Sequence, residues 1–338
     1  MKSWLRNSFL LVLALLVIAE LIVRLFFARN MSGRFEYGYN PTSGFVEKAD
    51  GSVHLIRAGG RRFRPQTFSR ERPEGIFRVM VIGDSVPRGP SLEAAYASQI
   101  ALQLRKYGVR AESINMGVAG NGAQRSQIIL KQALKYHPSL VILHVNNSNE
   151  YEDEREFKRS EEFKSWHPRN WLMKSLLLRR LYEMKTERVF WEWLPAEVRN
   201  QKAVNDADAE IAASMSPAKV REWDERVKRF TSGSVALARE QGVPLLLVTQ
   251  VRREPNKQGQ MHLDDHGLDD LARPLVGDGV QMVSLKQLFE PLPCEGLFAD
   301  SAHLKPEGHV LIAAAIVKKI FEAKLISPHD RADNVGNH

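Results

Sequence analysis

The chain reads as an α/β protein: a three-layer α/β/α sandwich around a mostly parallel five-stranded sheet, preceded by one N-terminal transmembrane helix. Three observations predict this. Apolar runs of strand length alternate with amphipathic helical stretches between Phe77 and Phe321, which is the rhythm of parallel strands joined by crossover helices. Several of those runs stop at small or polar residues, as strands do at the edge where an open parallel sheet meets its ligand. Ahead of them, Phe9–Phe27 (FLLVLALLVIAELIVRLFF) is almost unbroken hydrocarbon, just long enough to span a bilayer.

In that first stretch only Glu20 and Arg24 interrupt the apolar run. They stand i,i+4, so they can pair on one helix face, and Arg24 can also snorkel to the interface. A cleaved signal peptide, with Lys2 and Arg6 as its charged start, competes with an uncleaved anchor. The apolar run ends in Leu-Phe-Phe-Ala-Arg-Asn rather than in small residues, which favours the anchor. Basic residues flank both ends, so charge alone does not separate the two sides of the membrane. A short basic start before the run is what export machinery reads, so the expected topology is single-pass, with the domain on the periplasmic side of the inner membrane.

The 338 residues are 43% apolar, enough for a sizeable core, and carry a formal net charge of +8. The basic residues are mixed with acidic ones, with no Lys/Arg stripe and no zinc-finger spacing, which argues against nucleic acid as a partner. The single Cys294 excludes an internal disulfide. The expected organisation is an anchor over 1–30, a connector over 31–74 with a turn at Gly59-Gly60-Arg61-Arg62, a domain over 75–326 with an insertion at about 151–217, and a loose tail over 327–338.

The domain opens on Phe77-Arg78-Val79-Met80-Val81-Ile82-Gly83-Asp84-Ser85, a buried strand that breaks at Gly83 and places Ser85 at a strand's carboxyl end. By itself Asp-Ser at such a point is also an ordinary helix cap. A helix follows over Leu92–Tyr107, then a strand over Val109–Asn115 leading into Met116-Gly117-Val118-Ala119-Gly120-Asn121-Gly122, and a helix from about Ala123 to Tyr136. Glycines at that density let backbone approach closely and expose N–H groups near a helix start. No Gly-x-x-x-x-Gly-Lys follows the first strand, so a phosphate-binding loop is excluded.

Ser139–Val145 is the next strand, ending in Asn146-Asn147-Ser148-Asn149-Glu150. Asn149 either caps the coming helix or aims its amide into a site. The 151–217 interval breaks the rhythm: a solvated charge cluster precedes Trp166, Trp171, Trp191 and Trp193. Those tryptophans suit a satellite core, a lid or a face resting at the bilayer interface. A helix over Pro217–Gln241, strands at Val243–Thr249 and Gln281–Leu285, and a helix over Lys305–Phe321 complete the domain. His262, Asp264, Asp265 and His266 are metal-capable, but no HExxH frame surrounds them and neither histidine stands at the end of an expected sheet strand, so neither a metal nor a cofactor is expected.

A serine hydroxyl needs a base, and the base needs an orienting group. Asp300 and His303, three residues apart before the last helix, supply such a pair. With Gly83-Asp84-Ser85, Gly117 in NMGVAGNG, Asn149, and Asp300-x-x-His303 in this order, the chain resembles the SGNH/GDSL hydrolase superfamily, the flavodoxin-like serine esterases, over about residues 75–323. Two departures stand out. Val86-Pro87-Arg88 replaces the usual approach to leucine, and Asn147-Ser148-Asn149-Glu150 replaces Gly-x-Asn-Asp.

The resemblance implies Ser85 as nucleophile, His303 as base and Asp300 as its orienting acid. Ser85 N–H, Gly117 N–H and the Asn149 amide are the implied oxyanion donors. Hydrolase and O-acyltransferase share every one of these residues, and a non-catalytic carbohydrate-binding module could keep the fold. An acylated small molecule or an acetylated envelope glycan is the implied partner, alongside the membrane through residues 9–27.

Overall fold

The computed structural model describes residues 2–27, 44–58, 61–154, 157, 175–178, 181 and 216–326. Two compact units emerge: Met1–Ser43 with Ala58–Gly60 and Glu156–Ser216, and Gly44–Arg57 with Arg61–Arg155 and Pro217–His338. The tryptophans of the insertion and the 327–338 tail lie outside the described residues.

In the first unit, α1 (Lys2–Phe27) is a continuous helix. Within it Trp4–Phe26 has a mean hydropathy of 2.7, and among the described residues it is the one helix long and apolar enough to cross a membrane. Arg24 pairs with Glu20 at 2.8 Å along one face, as their spacing predicts.

The second unit is a three-layer α/β/α sandwich. Its strands are β4 (Phe77–Gly83), β5 (Ala111–Gly117), β6 (Leu140–Val145), β7 (Leu245–Thr249) and β10 (Val280–Ser284), in spatial order β10-β7-β6-β4-β5. Every pairing is parallel. Side chains alternate across these strands, so β4 sends Phe77, Val79 and Val81 to one core and Met80 and Ile82 to the other. Helices α3 (Tyr96–Lys106) and α6 (Pro306–Glu322) close the first face, while α4 (Ala123–Ala133) and α5 (Pro217–Glu240) cover the second. The strand order reverses between β4 and β6, which is where an open α/β sheet leaves a crevice at its carboxyl edge.

Within the stretch expected to be a connector over 31–74, the described residues 44–58 and 61–74 contain strands. β1 (Phe45–Glu47), β2 (Ser52–Ala58) and β3 (Arg61–Ser69) form a three-stranded sheet, with β1 and β2 antiparallel. Phe45, Val53, Leu55, Phe63 and Phe68 bury themselves in the second core, where Phe45 meets Phe63 at 5.2 Å and Phe68 meets Tyr136 edge-on at 5.2 Å. Alternation in this stretch is interrupted by Arg, Gly and Pro, so its strands carry little periodic signal.

Within β4 the fully buried Arg78 donates to Glu112 at 2.6 Å and to the carbonyls of Tyr136, Arg70 and Glu71. A buried cation is tolerated only when partnered in this way. The polar segment after β7 forms a hairpin, β8 (Arg252–Pro255) with β9 (Met261–Asp264). Just after it, His266 Nε2 lies 2.9 Å from Glu254 Oε1 on β8.

Candidate active site

Ser85 opens α2 (Ser85–Arg88), the short helix immediately after β4. Its Oγ lies 2.8 Å from Nε2 of His303, and Nδ1 of His303 lies 2.7 Å from Oδ2 of Asp300. The other oxygen of Asp300 accepts the N–H groups of Ala302 and His303, at 2.9 and 2.7 Å. Partial burial pushes the Asp300 carboxyl up, but these N–H donors and the His303 ring outweigh it and hold the group below the ordinary carboxylate range. The loop is itself tied down. Ala299 N–H donates to His303 O, Lys305 N–H to Leu297 O, and Arg253 N–H on β8 to Ser301 O at 2.7 Å.

Asp84 caps α2 by accepting Val86 N–H at 2.9 Å, the local reason the chain turns sharply at Ser85. Its second oxygen accepts the Asn149 amide at 3.1 Å. Burial pushes the Asp84 carboxyl up to about 6, against the pull of Val86 N–H, the His303 charge and Asn149. Asn149 stands at the entry to the helical turn 150–154, where its carbonyl accepts Asp153 N–H. Its side chain does not cap that turn; it reaches across to Asp84 and to Asn146 Oδ1 at 3.2 Å. Asn149 is thus both a helix-entry residue and a neighbour of the residue preceding Ser85.

Gly117 N–H donates to the Asn115 side chain at 3.0 Å. A Cβ at this position would lie 2.4 Å from Arg88 N and 3.0 Å from Asp84 O. The glycine is there to let β5 touch the Ser85 turn, in register with Gly83. The turn over Val118–Asn121 comes next, with Gly120 at φ +73° and the Asn121 carbonyl 3.4 Å from the Asn149 amide.

Several positioning residues escaped the sequence reading. Buried Asn115 donates to Pro87 O at 2.9 Å. Arg64 on β3 reaches the carbonyls of Gly89 and Pro90, both at 2.6 Å. Together they hold the far side of the Ser85 turn. Gln66 closes on the backbone of Asn115 with both amide atoms, at 2.8 and 2.9 Å, completing the edge of β5.

The acid that departs from the usual Asn-Asp pattern also acquires a role. Glu150 accepts Ala123 N–H at 2.7 Å and Arg226 Nε at 3.2 Å. Asp153 accepts Gly122 N–H and Arg125 N–H, at 2.8 and 3.0 Å, and pairs with the Arg125 guanidinium. Two carboxylates thereby satisfy the free N–H groups at the start of α4 and fasten the Asn149 turn to it. Burial first, then the Asp153 charge, pushes Glu150 up to about 7. The Glu at position 150 was the only sequence signal of this clamp.

A doubly wound sheet of this strand order, with Ser85, Asn149 and Asp300-x-x-His303 at its carboxyl edge, resembles the SGNH/GDSL hydrolases in fold as well as in motif order. No protein-family model matches the chain, and no curated protein matches it. Among solved structures it is similar to an acetyl xylan esterase, AlAXEase, at 16% identity over 71% of this chain and 98% of that chain, with a TM-score of 0.43. It is also similar to a two-domain esterase active on acetylated mannans, at 15% identity over 79% of this chain and 54% of that chain, TM-score 0.41. A member of the lipolytic protein G-D-S-L family from Veillonella parvula matches at 11% identity over 72% and 97%, TM-score 0.40.

Proposed function

We propose that the protein is a serine hydrolase of the SGNH/GDSL type that removes short acyl groups, acetyl above all, from esters on an envelope glycan. The observation that carries this reading is the continuous hydrogen-bonded chain from Ser85 Oγ through His303 to Asp300. His303 Nε2 takes the Ser85 proton as Oγ attacks the ester carbonyl, and Asp300 holds the ring with Nδ1 carrying its hydrogen. Ser85 N–H, at the open start of α2, Gly117 N–H and the Asn149 amide stabilise the oxyanion, the last two in exchange for the Asn115 and Asp84 oxygens they now bond. The tetrahedral intermediate collapses, His303 passes its proton to the leaving alcohol, and an acyl-Ser85 ester remains. Water, deprotonated by His303, adds to that ester and releases the carboxylic acid and free Ser85.

The side chains of His303 and Asp300 are 49% and 55% exposed. An open site of that kind suits an acyl group at the end of a bulky polar substrate, and it admits the water that distinguishes hydrolysis from O-acetyl transfer. The apolar α1 helix supports tethering at a membrane; the proposed periplasmic side of the inner membrane rests on the short basic start, Lys2 and Arg6, ahead of the apolar run.

The test is to give the full-length protein an acetylated glycan and an unacetylated acceptor together and to follow acetyl by mass spectrometry. Free acetate, abolished by Ser85→Ala, is the expected product. Acetyl accumulating on the acceptor would replace hydrolysis with transfer. No turnover of either would leave the fold as a binding module.

A further inference from the structure

Glu20 lies inside the apolar span Trp4–Phe26. At 1.5 Å rise per residue it stands about 9 Å along the axis from Phe26 and about 8 Å from the middle of the span. A hydrocarbon core is about 30 Å thick, so this carboxylate sits in acyl chains, not among headgroups. An acidic side chain at such depth persists only with partners. Arg24 supplies one, and the insertion supplies three more.

Glu20 Oε2 accepts Ser175 Oγ–H at 2.7 Å and Leu177 N–H at 2.8 Å, while Oε1 accepts Leu176 N–H at 2.9 Å. Ser175 Oγ in turn accepts Leu178 N–H at 3.2 Å. These are the donors that the start of a helical turn leaves unpaired. In hydrocarbon each would cost several kcal/mol if left so. The satisfaction is mutual: the turn needs an acceptor at that depth, and Glu20 needs donors.

We propose that the Ser175–Leu178 turn of the insertion is a second membrane-seated element, docked on the anchor through Glu20, and that its partner surface is lipid acyl chain. A group hydrogen-bonded to Glu20 shares its depth. The turn therefore sits in the leaflet toward which the carboxyl end of α1 points, whichever side of the membrane that is. Its composition fits the placement. Leu176, Leu177 and Leu178 are consecutive, and Leu181 is 50% exposed. Lys174, Arg179 and Arg180 flank this segment in sequence. The Ser175–Leu178 turn is thereby held at the bilayer by its own leucines as well as by its hydrogen bonds to Glu20.

The test uses full-length protein in phosphatidylcholine/phosphatidylglycerol vesicles, in a Cys294→Ser background. Nitroxides are placed singly by Leu177→Cys, by Leu21→Cys as a hydrocarbon reference and by Lys257→Cys as an aqueous one. The ratio of collision with oxygen to collision with a water-soluble nickel chelate reports depth. The expected ratio at 177 approaches that at 21 and exceeds that at 257 several-fold. A ratio at 177 equal to that at 257 would overturn the proposal. Adding Glu20→Leu, which leaves the span more apolar and still inserted, should bring the label at 177 to the aqueous value. Unchanged depth there would refute docking through Glu20.

Discussion

Asp84→Asn tests whether the residue before the nucleophile is a buried acid working against its own charge. The Asp84 side chain is sealed from water, with the residue 1% exposed, and its carboxyl is raised from 3.8 to about 6. That shift of about 2 units corresponds to about 3 kcal/mol at 1.36 kcal/mol per unit. The sign follows from the raised value. The folded state binds the proton more tightly than the unfolded chain, so Asp84 contributes stability fully present below about pH 4 and lost as pH rises through about 6. Asparagine has the same shape and no charge to bury.

The variant should therefore gain about 2 kcal/mol relative to wild type between pH 4 and pH 7, since part of the effect is already present at pH 4. Any constant penalty, such as its NH₂ facing the Asn149 NH₂, cancels in that double difference. The assay is urea unfolding of the full-length protein in detergent at both pH values, for both proteins. Parallel pH dependence would refute the burial argument. Catalysis should fall independently, because Asn149 loses the carboxylate that fixes its amide.

Ser85→Ala should reduce turnover of a small activated acetyl ester to background with unfolding unchanged, and Asp300→Asn should cost about 10⁴ in kcat by losing the ring orientation, both read by acetate release. Gly117→Ala should lower kcat sharply because its methyl meets Arg88 N at 2.4 Å and displaces the Ser85 turn. Gly120→Ala, with only Glu152 Cγ nearby at 3.7 Å, should cost about 1 kcal/mol of stability from its positive φ; equal kcat losses in the two variants would deny Gly117 its packing role. Arg64→Ala should lower kcat more than it raises KM by freeing the carbonyls of Gly89 and Pro90, with partial recovery in Arg64→Lys.

The elements that carry their own pattern were legible in the chain. Phe77–Gly83, Leu140–Val145 and Leu245–Thr249 are apolar runs of strand length, and Phe9–Phe27 is an almost unbroken apolar run long enough to span a bilayer. Ser85, Asn149, Asp300 and His303 were legible because each follows such a run or stands just before a helix. Tertiary structure decided what depends on partners far apart in sequence. Gly117 N–H meets the Asn115 side chain because β5 pairs through to Gly83↔Gly117, two residues beyond the strand end that local pattern suggests. The 45–69 stretch became a sheet because its aromatics found Tyr136 and the second core, not because it alternates. Glu150 and Asp153 became a clamp only when α4 presented its unpaired N–H groups to them. Hydrophobic periodicity is a property of one segment and can be read along it. A hydrogen bond between side chain and distant backbone leaves no period, and only the packed chain reveals it.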